Sequence, residues 1–261
     1  MRALLIVAIL AAFPATAAEY LIAPLIGDRL VVNFARMTTG SNLGASAEVL
    51  KFPNLPWDDA IAASVAEGVS AADDKATFKQ LSFRESLPGV NILDQAGEGE
   101  IAAALVKTLA PLIDPAKKQY IVALWPRRAD HLFKGVNEGI GRGRGSGLGF
   151  YIDRTTRVVV DGTGEHDTGL LGVFAYFDVG LIDPSAGKVV ATQRIVTTKV
   201  HTMAERPREA EKGHPWELLD DGEKYLAIRR MVVEQIGKAM PELMKGVTCS
   251  RPTNPSACTS E

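Results

Sequence analysis

The sequence predicts a single α/β (α+β) domain, in which helices pack on a mixed β-sheet that includes a long C-terminal β-hairpin. Three observations support this fold class. Strand-like and helix-like apolar segments alternate along the chain. A hairpin pattern with Asp-Pro at its turn covers residues 173–197. A helical pattern long enough to cover a sheet follows it. We find no internal repeat and no linker, so residues 18–246 form one predicted domain.

Two short apolar runs begin that domain. Residues 21–26 and 30–34 are separated by Gly27-Asp28-Arg29, which predicts a strand, a tight turn or bulge, and a second strand. A loop over Thr38–Asn42 follows. A helix is then expected to open at Pro56-Trp57-Asp58. Its apolar side chains recur every four residues at Ile61, Val65 and Val69.

The middle of the chain predicts strand, helix and strand. Residues 77–83 alternate as a short strand with Phe78, Leu81 and Phe83 as its larger apolar members, and residues 100–113 form a helix. The apolar stripe of that helix comprises Ile101, Leu105, Leu109 and Leu112. Tyr120–Trp125 is a continuous apolar run of strand length, which is typical of a strand buried on both faces.

A glycine-rich segment covers residues 139–149, with glycine at every second position. It lacks the glycine spacing of a dinucleotide-binding loop and of a P-loop, so no nucleotide cofactor is expected. We interpret it as a mobile, solvated connection that precedes a strand at Phe150–Asp153. The alternative is a ligand site, in which Arg142 and Arg144 meet an anionic group such as a phosphate or a glycan carboxylate.

The clearest hairpin joins Val173–Ile182 to Lys188–Thr197. Asp183-Pro184 begins the turn and Gly187 supplies a positive φ. Because the first strand carries apolar side chains on both faces, we expect it to be central in the sheet. A helix over Glu223–Met244 closes the domain. Its expected stripe comprises Leu226, Ile228, Val232, Ile236, Met240 and Leu243, with Trp216 as an anchor beneath it.

Residues 1–17 have the three parts of a secretory signal peptide: Arg2, an apolar stretch over residues 3–13, and Ala15-Thr16-Ala17 as a cleavage site. The apolar stretch is too short for a transmembrane helix. No cysteine near the cleavage site is available for lipid attachment. We therefore expect a mature chain with a net charge of -3 and no membrane span, located in the periplasm or secreted.

The amino-acid composition excludes several classes of protein. The 261 residues are 46% hydrophobic and 23% charged, which indicates a globular protein, and the net charge of -2 offers no basic excess for nucleic-acid binding. Two cysteines exclude a cysteine-framework miniprotein. Cys249 and Cys258 both lie in the tail, residues 247–261, and an oxidising compartment favours a disulfide between them. Such a bridge would contribute about 2.5–3 kcal/mol by closing a short loop.

Catalytic and metal motifs are sparse. His131, His166, His201 and His214 stand apart, and no nucleophile elbow is present. One alternative is a secreted hydrolase with dispersed residues, for example Ser41 with His166 and Asp167. Another is a cation site formed by Asp161, Glu165, His166 and Asp167, although such a cluster is more typical of an acidic, glycine-rich turn. We expect no catalytic residue, metal or cofactor.

Four segments carry a resemblance: GDRLVVNF, TTGSN, GSGLGFYIDR and LIDPSAGKVV. Together they resemble a group of uncharacterised secreted proteins of proteobacteria, which implies no activity. The hairpin followed by a long helix is also similar to the periplasmic α/β domain of the curli-secretion lipoprotein and of the lipoprotein activators of peptidoglycan synthases. Those proteins are lipid-anchored, whereas this chain lacks the acceptor cysteine.

The resulting functional expectation is a non-catalytic periplasmic binding or adaptor protein. Its partner would be an envelope protein or an anionic envelope ligand, held by a sheet edge or by the glycine-rich segment. The expected ligand-binding residues are Arg142 and Arg144, with Ser41 and Asn42 from the TTGSN loop.

Overall fold

The computed structural model describes residues 17–26, 29–35, 46–51, 57–81, 98–134, 139–159, 166–202 and 214–249. The strands are β1 (Glu19–Pro24), β2 (Arg29–Phe34), β3 (Ser46–Lys51), β4 (Thr77–Gln80), β5 (Gln119–Pro126), β6 (Arg128–Asp130), β7 (Phe133–Lys134), β8 (Gly139–Ile140), β9 (Arg144–Val159), β10 (His166–Asp183) and β11 (Lys188–Thr202). The helices are α1 (Trp57–Ala72), α2 (Glu98–Leu109) and α3 (Asp221–Cys249). The predicted α+β fold class is confirmed. Within these ranges, no helix combines the length and apolar character needed to cross a lipid bilayer.

Strand β10 is the centre of a nine-stranded mixed sheet. Along one edge it pairs with β11 over its whole C-terminal part, from Leu170 to Asp183. Its other edge is divided between β9, which pairs as far as Tyr176, and β5, which pairs from Phe177 onwards. The sheet therefore forks at Tyr176. One branch continues from β9 to β2 and β3, and the other continues from β5 to β1 and β4.

The fork explains why the first two strands do not form a hairpin. Both predicted strands exist, but β1 pairs in parallel with β4 and β5, whereas β2 pairs with β3 and β9. Consecutive strands thus lie in different branches. Strand β3 was not predicted, because SAEVLK offers only Ala47 and Val49 as alternating apolar residues, and Val49 is 53% exposed on this edge strand.

Both faces of β10 are covered, as its apolar pattern predicts. One face carries Val173, Phe177 and Leu181, which pack in the core beneath α1 and α3; we call it the α1–α3 face. The other carries Phe174 and Tyr176 and is called the aromatic face. Near the hairpin turn, α2 covers this second face and the core there includes Trp125 and Ile182. The strand Tyr120–Trp125 is buried on both faces, as expected.

Helix α3 provides one correction. The predicted stripe is buried from Ile228 to Leu243, but Leu226 is 51% exposed. Each helical residue turns about 100°, so Leu226 lies about 200° from Ile228 and faces solvent. Helix α2 gives a second one. Leu112 is exposed because the chain leaves the α-helix at Leu109 for a 3-10 turn, where the 3.6-residue period no longer applies.

The hairpin turn forms as predicted. The Asp183 carboxylate accepts hydrogen bonds from the backbone N–H groups of Ser185 and Ala186 and from the Ser185 hydroxyl. Gly187 has a φ of 60°, in the left-handed region that favours glycine. The two strands are longer than their apolar patterns suggested, because polar residues extend the pairing beyond the core.

The prediction that the glycine-rich segment is a mobile, solvated connection is wrong for its second half. Gly145, Gly147 and Gly149 are buried in β9. A Cβ atom on Gly149 would lie 2.0 Å from the Val31 carbonyl oxygen and 2.7 Å from the Phe174 ring. Glycine occurs here because a neighbouring strand and aromatic rings approach the backbone too closely for any side chain.

We expect Gly149→Ala to lower the free energy of unfolding by about 1–3 kcal/mol, because the added methyl group must displace backbone. Chemical denaturation measures the loss. The matched control is Gly237→Ala in α3, where a Cβ would meet nothing within 4 Å; that change should stabilise the helix by about 0.5–1 kcal/mol. Equal midpoints for wild type and Gly149→Ala would contradict this account.

Candidate functional site

The aromatic face of β10 holds a cluster of five rings that sequence reasoning did not find. The chain leaves β5, passes through β6 and folds back across the sheet, which brings His131 and Phe133 over β10. His131 lies 4.8 Å from Phe174 and 5.0 Å from Tyr151 between ring centroids. We call His131, Phe133, Tyr151, Phe174 and Tyr176 the aromatic cluster.

Two glycines make room for the aromatic cluster. A Cβ on Gly145 would lie 2.5 Å from the His131 ring, and one on Gly172 would lie 2.3 Å from the Phe133 ring. Each ring therefore lies directly on a strand backbone. This packing could have been found in the sequence only by asking which aromatic residues fill the space that the glycines leave.

His131 is held by hydrogen bonds on both ring nitrogens. Its Nε2 is 2.8 Å from the Asn33 side-chain nitrogen, and its Nδ1 is 3.3 Å from the Tyr176 hydroxyl oxygen. With the Asn33 amide as donor, Nε2 accepts and Nδ1 carries the proton. Burial lowers the pKa of His131 to about 4, against a smaller opposing effect of Asp130. The ring is only 3% exposed, so this histidine is a neutral core residue at pH 7.

The buried histidine predicts a pH dependence of stability. The pKa of His131 is about 4 in the folded chain and 6.5 when unperturbed, so the unfolded state binds the extra proton first as pH falls. The contribution of His131 to the free energy of unfolding is therefore fully present above pH 6.5 and is lost progressively towards pH 4. We expect this contribution to be about 2 kcal/mol smaller at pH 5 than at pH 7.5, and urea unfolding at the two pH values measures it by comparison with a variant that lacks the histidine.

His131→Gln isolates this contribution, because glutamine keeps a hydrogen-bonding side chain without a titrating group. The variant is expected to be less stable than the wild type at pH 7.5. Between pH 7.5 and pH 5, its free energy of unfolding should fall by about 2 kcal/mol less than that of the wild type. Parallel pH profiles for the two proteins would show that His131 does not titrate as described.

Arg127 bridges the fork of the sheet. Its backbone N–H donates to the Tyr176 carbonyl oxygen at 3.0 Å, at the point where the neighbour of β10 changes from β9 to β5. Its guanidinium Nη1 donates to Oδ2 of the buried Asp178 at 2.7 Å. The other oxygen of Asp178, Oδ1, is buried without a hydrogen-bond partner. Arg127 therefore supplies the one ion pair of this buried carboxylate among the described residues.

We expect Arg127→Met to destabilise the protein by about 2–4 kcal/mol. The change leaves the Asp178 carboxylate buried and unpaired, and the 28% exposure of the Arg127 side chain places the cost below that of a fully buried pair. The control Arg128→Met removes an exposed neighbouring guanidinium and should change stability by about 0.5 kcal/mol at most. Thermal unfolding of both variants provides the comparison.

Among the described strands, β11 has the longest stretch of outer edge without a strand partner, from Thr192 to Val200. Strand β11 has 15 residues and pairs only with β10 there, whereas the edge strands β3 and β4 have 6 and 4 residues. The Tyr176 carbonyl points away from β11, since it accepts from Arg127. Val196, which lies opposite Tyr176, therefore points its own N–H and C=O outwards. The same holds for every second residue from Thr192 to Val200, because the register shift between Leu181 and Ile182 lies nearer the turn.

An exposed apolar patch borders this edge on the aromatic face. Val196 is 50% exposed and Leu132 is 64% exposed. The Leu132 backbone is held over the strands, since its N–H donates to the Tyr176 hydroxyl and its C=O accepts from the Thr198 hydroxyl at 3.1 Å. The two exposed side chains thus lie on the same stretch of surface, beside outward-pointing backbone groups.

The charge of β11 is entirely positive. The strand contains Lys188, Arg194 and Lys199, all exposed, and no aspartate or glutamate. Arg194 lies directly opposite Asp178 across the β10–β11 pair, but the carboxylate of Asp178 is bonded to Arg127. Arg194 and Lys199 form no ion pair with any residue in the described ranges. The outer edge of β11 thus combines free backbone groups, apolar surface and unpaired cations.

The ligand-binding residues predicted from sequence are only partly placed. Arg144 is the first residue of β9, Arg142 lies two residues before it, and both are exposed. The Arg144 guanidinium pairs with Asp130 at 2.7 Å, and the Arg142 backbone N–H donates to the Tyr151 hydroxyl at 3.1 Å. These contacts give both residues structural roles. Ser41 and Asn42 lie outside the described residues, so their approach to the two arginines stays a prediction.

The other predicted sites also fall largely outside the described residues. Asp161 and Glu165 are not described, and His166 and Asp167 are placed in β10 by their backbone alone. Cys249 ends α3, and Cys258 lies beyond the described ranges. Where side chains are described, no three metal-ligating residues cluster. The hydrolase, the cation site, the disulfide and the signal peptide therefore stay predictions.

Trp216 packs as predicted. It lies in a short 3-10 turn over Pro215–Leu218 and meets the Phe150 ring edge-on, at 5.2 Å between centroids. The Lys224 ammonium, on the first turns of α3, lies 4.2 Å from the centroid of the indole. The tryptophan thus anchors the long helix to β9.

Comparisons with known proteins leave the family open. No protein-family model matches the chain, and no curated protein matches it in sequence. Three solved structures align over most of its length. One, described as a neuraminyllactose-binding hemagglutinin homologue from Helicobacter pylori, is 11% identical in sequence with a TM-score of 0.36. The alignment covers 88% of this chain and 85% of that protein.

The other two are comparably distant. A DUF330 protein from Xanthomonas campestris is 10% identical with a TM-score of 0.35, covering 91% of this chain and 90% of its own. A hypothetical protein from Chlamydia trachomatis is 12% identical with a TM-score of 0.29, covering 87% of this chain and 98% of its own. TM-scores this low carry no inference about function.

Proposed function

We propose that this protein is a non-catalytic binding or adaptor protein of the bacterial envelope, which holds an extended segment of a partner protein along the outer edge of β11. The observation that carries the proposal is the outer edge of β11 between Thr192 and Val200, which pairs with no described strand, together with the exposed side chains of Leu132 and Val196. Strand addition uses such an edge, because backbone hydrogen bonds supply affinity and neighbouring side chains supply specificity.

The alternative reading of a long free edge is that it is merely protected from aggregation. Charged residues, lysine above all, commonly serve that purpose, and β11 has three cations. Protection by charge would place polar side chains along the whole edge. Instead the strand exposes Val196 beside Leu132, midway along its length. Exposed apolar side chains next to free backbone groups favour binding.

Two further features support the envelope as the place of action. The first is the predicted signal peptide, residues 1–17, and the second is the resemblance to secreted proteobacterial proteins on the segments GSGLGFYIDR and LIDPSAGKVV. Cys249 and Cys258 would form their disulfide in the same oxidising compartment. The glycine-rich segment contributes through the core, because Gly145 makes room for His131 in the aromatic cluster on β10.

Val196→Pro tests the proposal, because it deletes an outward-pointing N–H and leaves the β10–β11 hydrogen bonds intact. We expect partners recovered from envelope extracts by the full chain to be lost with Val196→Pro. They should be retained with Val196→Ala, which keeps the N–H. Quantitative mass spectrometry of the recovered proteins gives the readout, and equal melting temperatures show that both variants fold.

Equal recovery of every partner by Val196→Pro and wild type would refute strand addition at β11. The double variant Arg142→Ala/Arg144→Ala belongs in the same experiment. Loss of partners in that variant alone would move the binding site to the start of β9.

A further inference from the structure

The geometry of β11 points to the chemistry of the segment that it binds: we infer an extended peptide that carries a carboxylate side chain two residues from an apolar side chain. This inference rests on the proposed function. It goes further by assigning a pattern to the partner, which the side chains on the aromatic face of β11 determine.

The spacing follows from strand geometry. Arg194 and Val196 lie opposite Asp178 and Tyr176 of β10, so both side chains project from the aromatic face. Both residues also turn their backbone N–H and C=O outwards, as derived from the Tyr176–Arg127 hydrogen bond. An added antiparallel strand would place two of its residues directly opposite this pair, in the reverse chain order. Those two residues are also two apart and point to the same face.

The apolar member of the pattern is set by Val196 and Leu132. A side chain opposite Val196 would cover surface that is now half exposed, and Leu132 lies beside it. Burying a valine-sized side chain there gains free energy in proportion to the apolar area removed from water.

The charged member is set by the local charge. Arg194 lies opposite Asp178, whose carboxylate is paired with Arg127, and the Arg194 guanidinium forms no ion pair within the described ranges. A carboxylate opposite Arg194 would restore the balance in a cross-strand pair, whereas a cation there would be repelled. Lys199, further along the strand, adds positive charge on the opposite face.

Charge also argues against a second copy of this chain as the occupant. Two β11 edges brought together would combine six cations with no aspartate or glutamate from either strand. Like charges across a strand pair destabilise it. A partner of opposite charge is therefore the better complement.

The test uses the full chain and two fluorescein-labelled synthetic peptides, TTTVTETT and TTTVTKTT, which differ only in the sign of one charge. In an antiparallel strand, a valine opposite Val196 places the charged residue opposite Arg194. Fluorescence anisotropy at low salt gives both dissociation constants. We expect the glutamate peptide to bind at least about fivefold more tightly than the lysine peptide, because an attractive exposed pair replaces a repulsive one. With Arg194→Glu the preference should reverse.

Arg229→Glu is the matched control, because Arg229 is an exposed arginine on α3, and it should leave the preference for the glutamate peptide unchanged. Val196→Pro should abolish binding of both peptides. An unchanged preference in Arg194→Glu, or equal binding of the two peptides, would overturn the inference. The proposed function would then still stand if envelope partners depend on the Val196 N–H.

Two other outcomes would also overturn the inference. Peptide binding that survives Val196→Pro would place the peptide away from the edge. A dimer of the full chain that Val196→Pro converts to monomer, detected by light scattering, would assign the edge to a second copy.

Discussion

Strand β10 has to be enclosed on all sides, and the rest of the fold follows from that constraint. It carries large apolar side chains on both faces, so neither face can meet water without exposing several of them. Helices α1 and α3 cover one face, and α2 and the aromatic cluster share the other. Its edges are filled by β11 on one side and by β9 and β5 in succession on the other.

Strands β9 and β5 pair one after the other with the same edge of β10, and two buried polar arrangements lie where they meet. At the fork, a buried carboxylate, Asp178, is held by Arg127, which also supplies the backbone N–H that closes the gap between β9 and β5. Beside it, the returning chain lays His131 on a bare glycine backbone and keeps it neutral. Both features stabilise the part of β10 that pairs with β11.

Periodicity predicted most of the framework, and the failures have physical causes. The helix at Trp57, the buried strand at Tyr120 and the hairpin turn at Asp183 were recognisable because burial on a repeating face leaves a repeating pattern. The role of the glycines was not, since glycine density looks the same in a flexible linker and in a strand packed against rings. The aromatic cluster and the edge of β11 depend on pairing between distant segments, which local patterns do not record.

A partner strand can add to β11 only if the outward-pointing N–H groups of β11 are exposed to solvent when no partner is bound. Residue-resolved amide hydrogen exchange measures this most directly. Outward-pointing N–H groups at Arg194, Val196 and Thr198 should exchange fast, while the alternating inward groups at Ile195 and Thr197 should be protected by β10. That alternation is the predicted result. Uniform protection along β11 would show that another part of the chain already occupies the edge, and would contradict its role as a binding surface.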